Sequence, residues 1–240
     1  LLIKMIDYDS PLKTGYSVKY DDKPRTELID LITEPPHRVL EIGCGAGATG
    51  LALKQKFQDI EYVGVESDEG AAKIAQTRLD RVLFSDIEKV QLDTIGLQKE
   101  YFDLIICADV LEHLYDPWKI LFALRNNIAP DGKILASIPN IQHISIINNL
   151  LIDRWTYSKY GLLDATHIRF FTLSEIIKMF SGTGYKMVQC SHPTQPEIES
   201  VKKWPADLDF GKVVLKNVTR DEASKFFVFQ YFIIAQKISS

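Results

Sequence analysis

The chain lacks the features of a secreted or membrane-bound protein. Its 240 residues include three cysteines, an odd and sparse set that does not suit a disulfide framework, so we expect reduced thiols and a cytoplasmic protein. No apolar run approaches the ~18 residues that a membrane-spanning helix needs, and no signal peptide is recognisable. The formal net charge of -4 provides no general attraction to nucleic acid or to an anionic membrane. We therefore expect neither as a partner.

What the sequence does contain is an alternation of predicted strands and helices through its first half. Such an alternation favours an α/β fold, in which a parallel sheet carries helices on both faces. Predicted strands occupy 38–42, 60–65, 81–84, 102–107, 133–138, 185–190 and 226–235, and predicted helices occupy 24–33, 47–57, 67–77, 116–128, 143–153 and 173–182.

Two segments interrupt this pattern. Residues 140–172 hold a short helix and then an aromatic, polar stretch, which we interpret as a lid-like insertion. Residues 191–225 show little periodicity, and a loop of that length is usually functional or mobile. No repeat or linker separates these segments from the rest, so we expect residues 1–240 to form a single domain.

The segment 38–50 says most about function. It reads Arg-Val-Leu-Glu-Ile-Gly-Cys-Gly-Ala-Gly-Ala-Thr-Gly, a short apolar strand that breaks into glycines and then enters a helix. Such a turn lets backbone N–H groups and the helix N-terminus come close to a ligand. Gly43, Gly45 and Ala48 satisfy a loose dinucleotide fingerprint, so the turn by itself leaves a nicotinamide dinucleotide open.

Acidic residues at the ends of the following strands point to another cofactor. Glu66 ends the second strand, Asp86 follows the third, and 102–109 runs into Val-Leu-Glu-His. Together with Glu41 and the three glycines, this order resembles the class I S-adenosylmethionine-dependent methyltransferases. The resemblance implies a Rossmann-like, doubly wound sheet of seven strands, mostly parallel, with the last strand antiparallel.

The same resemblance implies S-adenosyl-L-methionine as the cofactor and assigns roles to its neighbours. Glu66 is expected to accept hydrogen bonds from the ribose hydroxyls, and Asp86 from the adenine amino group. Carboxylates also favour a sulfonium cation, whereas they would repel a pyrophosphate. The cofactor-binding residues implied are Glu41, Gly43, Cys44, Gly45, Gly47, Glu66, Ser67, Asp86, Ile87, Ala108, Asp109 and Tyr20.

A narrower resemblance concerns the acceptor. The segments 108–114, 136–140 and 161–172 together resemble small-molecule methyltransferases that accompany bacterial glycosyltransferases and surface-polysaccharide genes. This implies O-methylation of a sugar or similar small hydroxylated metabolite, and association with a glycosyltransferase. Two alternatives stay open: a ubiquinone-type or natural-product phenol O-methyltransferase, and a non-catalytic cofactor-binding partner domain of a glycosyltransferase.

Two histidines are candidates for handling the acceptor. A hydroxyl benefits from a general base near neutral pH, and histidine suits that task. We predict His167 as a base or substrate clamp, oriented by Asp164, with His113 lining the site. The competing interpretation is that His167 and Arg169 only hold the segment 155–172 against the sheet.

The spacing Asp109-x-x-Glu112-His113 also offers three metal-ligating groups on one face of a helical turn. Some class I methyltransferases bind a divalent ion through a Glu-x-x-Glu-His version of this spacing. Here the first residue is Asp, and a fourth ligand is not evident unless His167 provides it. From the sequence alone we therefore assign no metal ion.

Overall fold

A computed structural model describes residues 22–193 and 195–238, together with Ser10 and Leu12. Within these ranges the central feature is a seven-stranded sheet, and a separate two-stranded hairpin lies outside it. The strands are β1 (Arg38–Ile42), β2 (Glu61–Glu66), β3 (Arg81–Phe84), β4 (Phe102–Ala108), β5 (Ile128–Pro139), β6 (Tyr185–Ser191), β7 (Ala206–Asp209), β8 (Val214–Val218) and β9 (Gln230–Lys237).

The order of strands across the main sheet is β3-β2-β1-β4-β5-β9-β6. Strands β1 to β5 pair in parallel, and β9 lies antiparallel between β5 and β6. The predicted seven-stranded, mostly parallel sheet with an antiparallel last strand is confirmed. The parallel arrangement brings the carboxyl ends of β1, β2, β4 and β5 to one edge, where ligands of open α/β sheets bind.

Helices cover both faces of this sheet because successive strand residues point to opposite sides. In β4, Ile105 and Cys107 join one apolar cluster, whereas Leu104 and Ile106 join the other. The helices are α1 (Thr26–Asp30), α2 (Ala48–Lys56), α3 (Glu69–Ala75), α4 (Pro117–Leu124), α5 (Ile144–Leu150), α6 (Leu173–Gly182), α7 (Pro196–Glu199) and α8 (Arg220–Ser224), with a 3-10 turn at Leu111–His113.

Helix starts follow the polar side chains that can cap them. The Asp68 carboxylate accepts a hydrogen bond from the Ala71 N–H at the start of α3, and Asp116 does the same for Lys119 at the start of α4. The predicted helix 116–128 is too long, since α4 ends at Leu124 and the apolar residues from 128 onward begin β5.

The predicted start of the last strand, at residue 226, is also wrong, because β9 begins at Gln230. Residues 226–229 precede β9 and form a turn, although they are apolar enough to resemble strand. The Asn140 side-chain amide fixes this turn by donating to the carbonyls of Lys225 and Val228 at 2.8 and 2.7 Å. A long-range contact therefore decides the local conformation.

The described residues of 191–225 form α7, the β7–β8 hairpin and α8 with short connections, rather than one structureless loop. Its elements are too short to produce a recognisable period in the sequence. In the part of the chain that the structure describes, no helix has the length and apolar character needed to cross a membrane.

Candidate active site

The glycine turn leaves the carboxyl end of β1 and reaches the segment that follows β4. Gly43, Gly45 and Gly47 have φ values of 68, 54 and 78°, which L-residues with a Cβ rarely adopt. A Cβ on Gly43 would lie 2.7 Å from Cγ2 of Val110. Glycine is therefore required both by the backbone conformation and by the close approach of the two segments.

Three amide groups of this turn donate to backbone carbonyls of the protein. Gly43 and Cys44 both donate to the carbonyl of Val65, at 2.8 and 3.1 Å, and Gly47 donates to the carbonyl of Cys44. A dinucleotide pyrophosphate needs such N–H groups as its own donors. The N–H groups of Gly43, Cys44 and Gly47 are consequently not available to a pyrophosphate.

Glu66 connects this turn to the end of β2. Its carboxylate is 5% exposed. One oxygen accepts the N–H of Gly45 at 2.8 Å, and the other accepts those of Ser67 and Asp68, each at 2.8 Å. The predicted ribose-binding carboxylate is thus held in one orientation beside the glycine turn.

Glu41 lies inside the protein next to the same turn. It is 3% exposed, and its carboxylate accepts a hydrogen bond from the Tyr62 hydroxyl at 2.8 Å. Burial raises the pKa of Glu41 to about 8, and the Tyr62 hydrogen bond opposes that change. Tyr62 was not among the predicted site residues, because nothing local marks it as a partner of Glu41.

The side chain of Cys44 points away from the turn into the core. A Cβ on Gly64 would lie 2.5 Å from the Cys44 sulfur, so the thiol packs directly against β2. Burial raises the pKa of this thiol and keeps it protonated. Only the backbone of Cys44 faces the turn, and the thiol is not placed as a nucleophile.

Asp86 lies after β3 within a small turn of its own. Its carboxylate pairs with Lys89 at 2.7 Å and accepts the N–H of Glu88 at 3.1 Å, and the Lys89 contact lowers the pKa of Asp86. The side chain of Ile87 is buried in the core. Glu88 was missed by the sequence analysis: its two oxygens accept the N–H groups of Tyr115 and Asp116, each at 2.9 Å.

Asp109 follows Ala108, the last residue of β4, and has a φ of 52°. Its carboxylate accepts the Ser137 hydroxyl at 2.6 Å and is also bound by Gln230 and by Arg25. The Asp109 carboxylate therefore connects the carboxyl ends of β4 and β5, the start of β9, and Arg25, which precedes α1. Ser137 lies within a recognised motif, 136–140, whereas Arg25 and Gln230 carried no sequence signal.

The backbone around Asp109 does not have the helical geometry that the spacing Asp109-x-x-Glu112-His113 suggested. The helical turn begins only at Leu111, so Asp109 does not share a helical face with Glu112 and His113. The Asp109 carboxylate instead belongs to the group of Ser137 and Arg25.

Glu112, His113 and His167 form a compact cluster just beyond β4. One metal-ligating atom of each lies within 4.8 Å of those of the other two. Glu112 is 1% exposed, and its Oε1 is 4.0 Å from Nε2 of His167. The two imidazole rings meet edge to face, with centroids 4.7 Å apart.

Backbone hydrogen bonds hold the 161–172 segment against this cluster. The N–H groups of Ile168 and Arg169 both donate to the carbonyl of Glu112, each at 3.0 Å. The Arg169 guanidinium also donates to the Tyr115 carbonyl, with Nε at 3.0 Å. His167 thus lies beside Glu112 because the 161–172 segment is anchored to the carbonyls of Glu112 and Tyr115.

The orientation of each imidazole depends on a backbone carbonyl. Nδ1 of His113 lies 3.2 Å from the carbonyl oxygen of Thr166, and Nδ1 of His167 lies 3.2 Å from that of Leu162. The Asp164 carboxylate accepts the N–H and hydroxyl of Thr166 at 2.8 and 2.6 Å. The ring of His167 therefore faces the Leu162 carbonyl, and the backbone N–H of His167 donates to the carbonyl of the predicted partner Asp164 at 3.0 Å.

Burial determines the charge of the cluster. It lowers the pKa of His113, as does the neighbouring His167, and it raises the pKa of Glu112 well above its ordinary value. Both shifts favour neutral side chains.

The aromatic residues near this segment divide into buried and exposed groups. Phe171 is buried and packs against Trp118, with ring centroids 5.9 Å apart. Trp155 and Phe170 meet edge to face at 5.5 Å and are 38% and 37% exposed. Tyr20, the predicted cover of the methionine carboxylate, lies outside the described residues.

Comparison with known proteins agrees with this geometry. The family profile described as a methyltransferase domain matches residues 19–190. A ubiquinone biosynthesis O-methyltransferase from Idiomarina loihiensis is 27% identical over 144 residues, which cover 59% of this chain and 58% of the relative. The chain thus spans about three fifths of the length of that relative.

Solved structures show the same fold. A SAM-dependent methyltransferase from Archaeoglobus fulgidus superposes with a TM-score of 0.59 at 24% identity, covering 88% of this chain and 92% of that one. A magnesium protoporphyrin IX methyltransferase from Synechocystis, solved with bound SAH, has a TM-score of 0.56 at 14% identity and covers 88% and 81%. The chain belongs to the methyltransferase domain family.

Proposed function

We propose that this methyltransferase transfers the methyl group to a hydroxyl oxygen of a sugar or a similar small hydroxylated metabolite. The observation that carries the proposal is the Glu112–His113–His167 cluster at the sheet edge that also bears the glycine turn. An oxygen lone pair forms the new C–O bond while the C–S bond breaks and its electrons pass to sulfur. The hydroxyl proton must leave during this displacement.

The residues around the glycine turn fit the sulfonium cofactor. Glu66 is fixed by three backbone N–H groups, and Glu41 is buried close by. The Glu66 carboxylate suits a cation and would oppose a pyrophosphate. We propose that the turn and Glu66 hold the cofactor, which supplies the electrophilic methyl group.

The cluster is suited to removing the proton of a hydroxyl acceptor. Nδ1 of each imidazole faces a carbonyl oxygen, which can only accept a hydrogen bond, so an imidazole with one proton carries it on Nδ1 and has a lone pair on Nε2. A sugar hydroxyl is weakly acidic and requires such assistance, which contributes about 10²- to 10⁴-fold in general-base catalysis. Proton removal at this cluster therefore supports oxygen as the methylated atom.

A phenolic acceptor is the second candidate. The names of several relatives, including the one from Idiomarina loihiensis, are ubiquinone biosynthesis O-methyltransferase. The exposed pair of Trp155 and Phe170 offers aromatic surface on which a phenol ring can stack.

The proposal is tested by incubating the full chain with labelled S-adenosylmethionine and a panel of nucleotide sugars, sugar phosphates and catechols. We expect one acceptor class to gain a single methyl group on oxygen, identified by mass spectrometry and NMR. Transfer to a catechol alone would favour the phenolic candidate. Binding of S-adenosylhomocysteine without turnover on any acceptor would contradict both and favour the non-catalytic partner domain.

One variant of the cluster and a matched control variant test the role of the cluster in catalysis. His113→Ala should reduce kcat by about 100-fold or more while calorimetric affinity for S-adenosylhomocysteine is retained. His37→Ala is the matched control, since His37 is exposed at the opposite end of β1 and should behave as the unmodified protein. Equal turnover in the two variants would exclude a catalytic part for the cluster.

A further inference from the structure

We propose that Phe229, His143 and Glu197 form a subsite that binds the ring of the acceptor, and that its occupant is the pyranose ring of a sugar. The inference rests on the proposed function, since it assigns residues to the recognition of the proposed acceptor class. The three side chains come from separate parts of the chain: the turn before β9, the residue that caps α5, and α7.

The backbone places Phe229 at the ligand edge of the sheet. Its neighbour Gln230 pairs with Pro139, the last residue of β5. The Gln230 side chain also donates to the carboxylate of Asp109, just beyond β4. Phe229 therefore lies at the carboxyl ends of β4 and β5, on the edge that also carries the glycine turn.

Gly161 connects Phe229 to the histidine cluster. A Cβ on Gly161 would lie 3.6 Å from Cζ of the Phe229 ring, and the backbone at Gly161 has a φ of 91°. The next residue, Leu162, has its carbonyl oxygen 3.2 Å from Nδ1 of His167. Two successive residues thus border the Phe229 ring and the His167 ring, so an acceptor ring that rests on Phe229 would lie beside the cluster that receives its proton.

The Phe229 side chain offers aromatic surface instead of filling the core. It is 47% exposed, whereas the preceding Val228 is 2% exposed. Its ring meets that of His143 edge to face, with centroids 5.6 Å apart. A pyranose presents C–H groups that can pack on an aromatic ring, and small-molecule sites are typically lined by aromatic side chains with a few polar groups.

His143 and Glu197 supply the polar groups. Nδ1 of His143 accepts the N–H of Ser145 at 3.2 Å, so an imidazole with one proton carries it on Nε2. Burial lowers the pKa of His143, and the negative charge of Glu197 opposes that change. The imidazole is thus a donor at Nε2, and the exposed Glu197 carboxylate is an acceptor. A donor and an acceptor near one aromatic ring suit an occupant with hydroxyls around its rim, as a pyranose has.

Hydrogen bonds hold these parts of the chain together. The N–H of Ile144, the first residue of α5, donates to the carbonyl of Phe226 at 2.8 Å and ties α5 to the turn before β9. The Ser224 hydroxyl donates to the side-chain oxygen of Gln195 at 2.8 Å, which fixes the start of α7. The subsite thereby gives α7, within the segment 191–225, a part in acceptor recognition.

The test is saturation-transfer difference NMR of the full chain with bound S-adenosylhomocysteine. The probes are the methyl α-glycosides of glucose, mannose and rhamnose, with catechol as the aromatic alternative. We expect transfer to the ring C–H protons of at least one pyranoside, and its Kd should rise about 10-fold in Phe229→Ala. Phe122→Ala is the matched control, since Phe122 is 65% exposed on α4 and should leave this Kd unchanged. Binding of catechol alone, or of none of the pyranosides, would overturn the inference.

Three further variants distinguish a role in binding from a role in folding. Phe229→Tyr keeps the aromatic ring and should bind the pyranoside as the parent does. His143→Ala and Glu197→Gln should each raise the Kd by about 3- to 10-fold. A merely structural role would instead lower the urea midpoint and the affinity for S-adenosylhomocysteine. Unchanged pyranoside Kd in folded Phe229→Ala, or in both His143→Ala and Glu197→Gln, would overturn the inference.

Binding is measured without turnover, so its outcome is distinguishable from that of the proposed function. A pyranoside that binds through Phe229 while no sugar is methylated would contradict the proposed function and support the subsite. Methylation of a sugar with the same KM in the parent and in Phe229→Ala would support the proposed function and refute the subsite.

Discussion

Replacement of Glu41 by glutamine should remove a pH dependence of stability that the fold creates. Burial raises the pKa of Glu41 from 4.5 to about 8. Between these values the folded protein keeps a proton that the unfolded chain releases. The stabilising contribution is therefore fully present below pH 4.5, and it is lost as pH rises toward about 8.

The magnitude follows from linkage. Each pH unit within this window lowers the free energy of unfolding by about 1.4 kcal/mol, so the whole interval amounts to roughly 5 kcal/mol at most. Glutamine is neutral throughout and still offers Tyr62 a carbonyl oxygen in place of the carboxylate that accepts its hydroxyl at 2.8 Å. The variant should gain stability relative to the parent as pH increases.

The assay is urea unfolding of parent and variant between about pH 5 and pH 8, with the difference in unfolding free energy plotted against pH. Taking the difference cancels the titration of groups that both proteins share. Glu34→Gln, at an exposed position, is the matched control and should give a flat difference. A flat difference for Glu41→Gln as well would refute the reasoning.

Three further substitutions distinguish residues that affect cofactor affinity from residues that affect only the free energy of unfolding. Gly64→Ala places a Cβ 2.5 Å from the Cys44 sulfur, so it should cost about 1–3 kcal/mol in urea unfolding and weaken S-adenosylhomocysteine binding by displacing the glycine turn. Glu66→Gln removes the charge that orders three N–H groups and should lower cofactor affinity in calorimetry by about 10- to 100-fold; unchanged affinity would exclude the ribose role. Tyr185→Phe leaves the Leu121 carbonyl without its 2.9 Å hydrogen bond and should cost about 1–3 kcal/mol in unfolding, with cofactor affinity unchanged.

The sheet was predictable because its strands carry their own signals. β1 and β4 are apolar runs closed by turn residues, and both were placed within one or two residues of their observed bounds. The end of α4 and the start of β9 were not predictable, because apolar residues there fit helix or strand equally well. Asn140, distant in sequence, decides the conformation before β9.

The residues of the candidate site could be identified from the sequence, but the contacts between them could not. Glu66 and the glycines lie together because the parallel sheet brings strand ends together, which the motif order already implies. The absence of Asp109 from the Glu112–His113–His167 cluster was not predictable, since the position of its carboxylate depends on the left-handed backbone at Asp109 and on Arg25 and Gln230. Likewise, only the folded chain shows that the ring of His167 faces the Leu162 carbonyl.

The connections of Asp109 bear on how the chain is assembled. Gln230, one of its partners, lies 121 residues further along, at the start of β9. During synthesis, strands β1 to β5 emerge long before this partner. The sheet edge that carries the glycine turn and Asp109 consequently stays unfinished until Gln230 has been synthesised, so a nascent chain that ends before β9 would have most of the sheet without this completed edge.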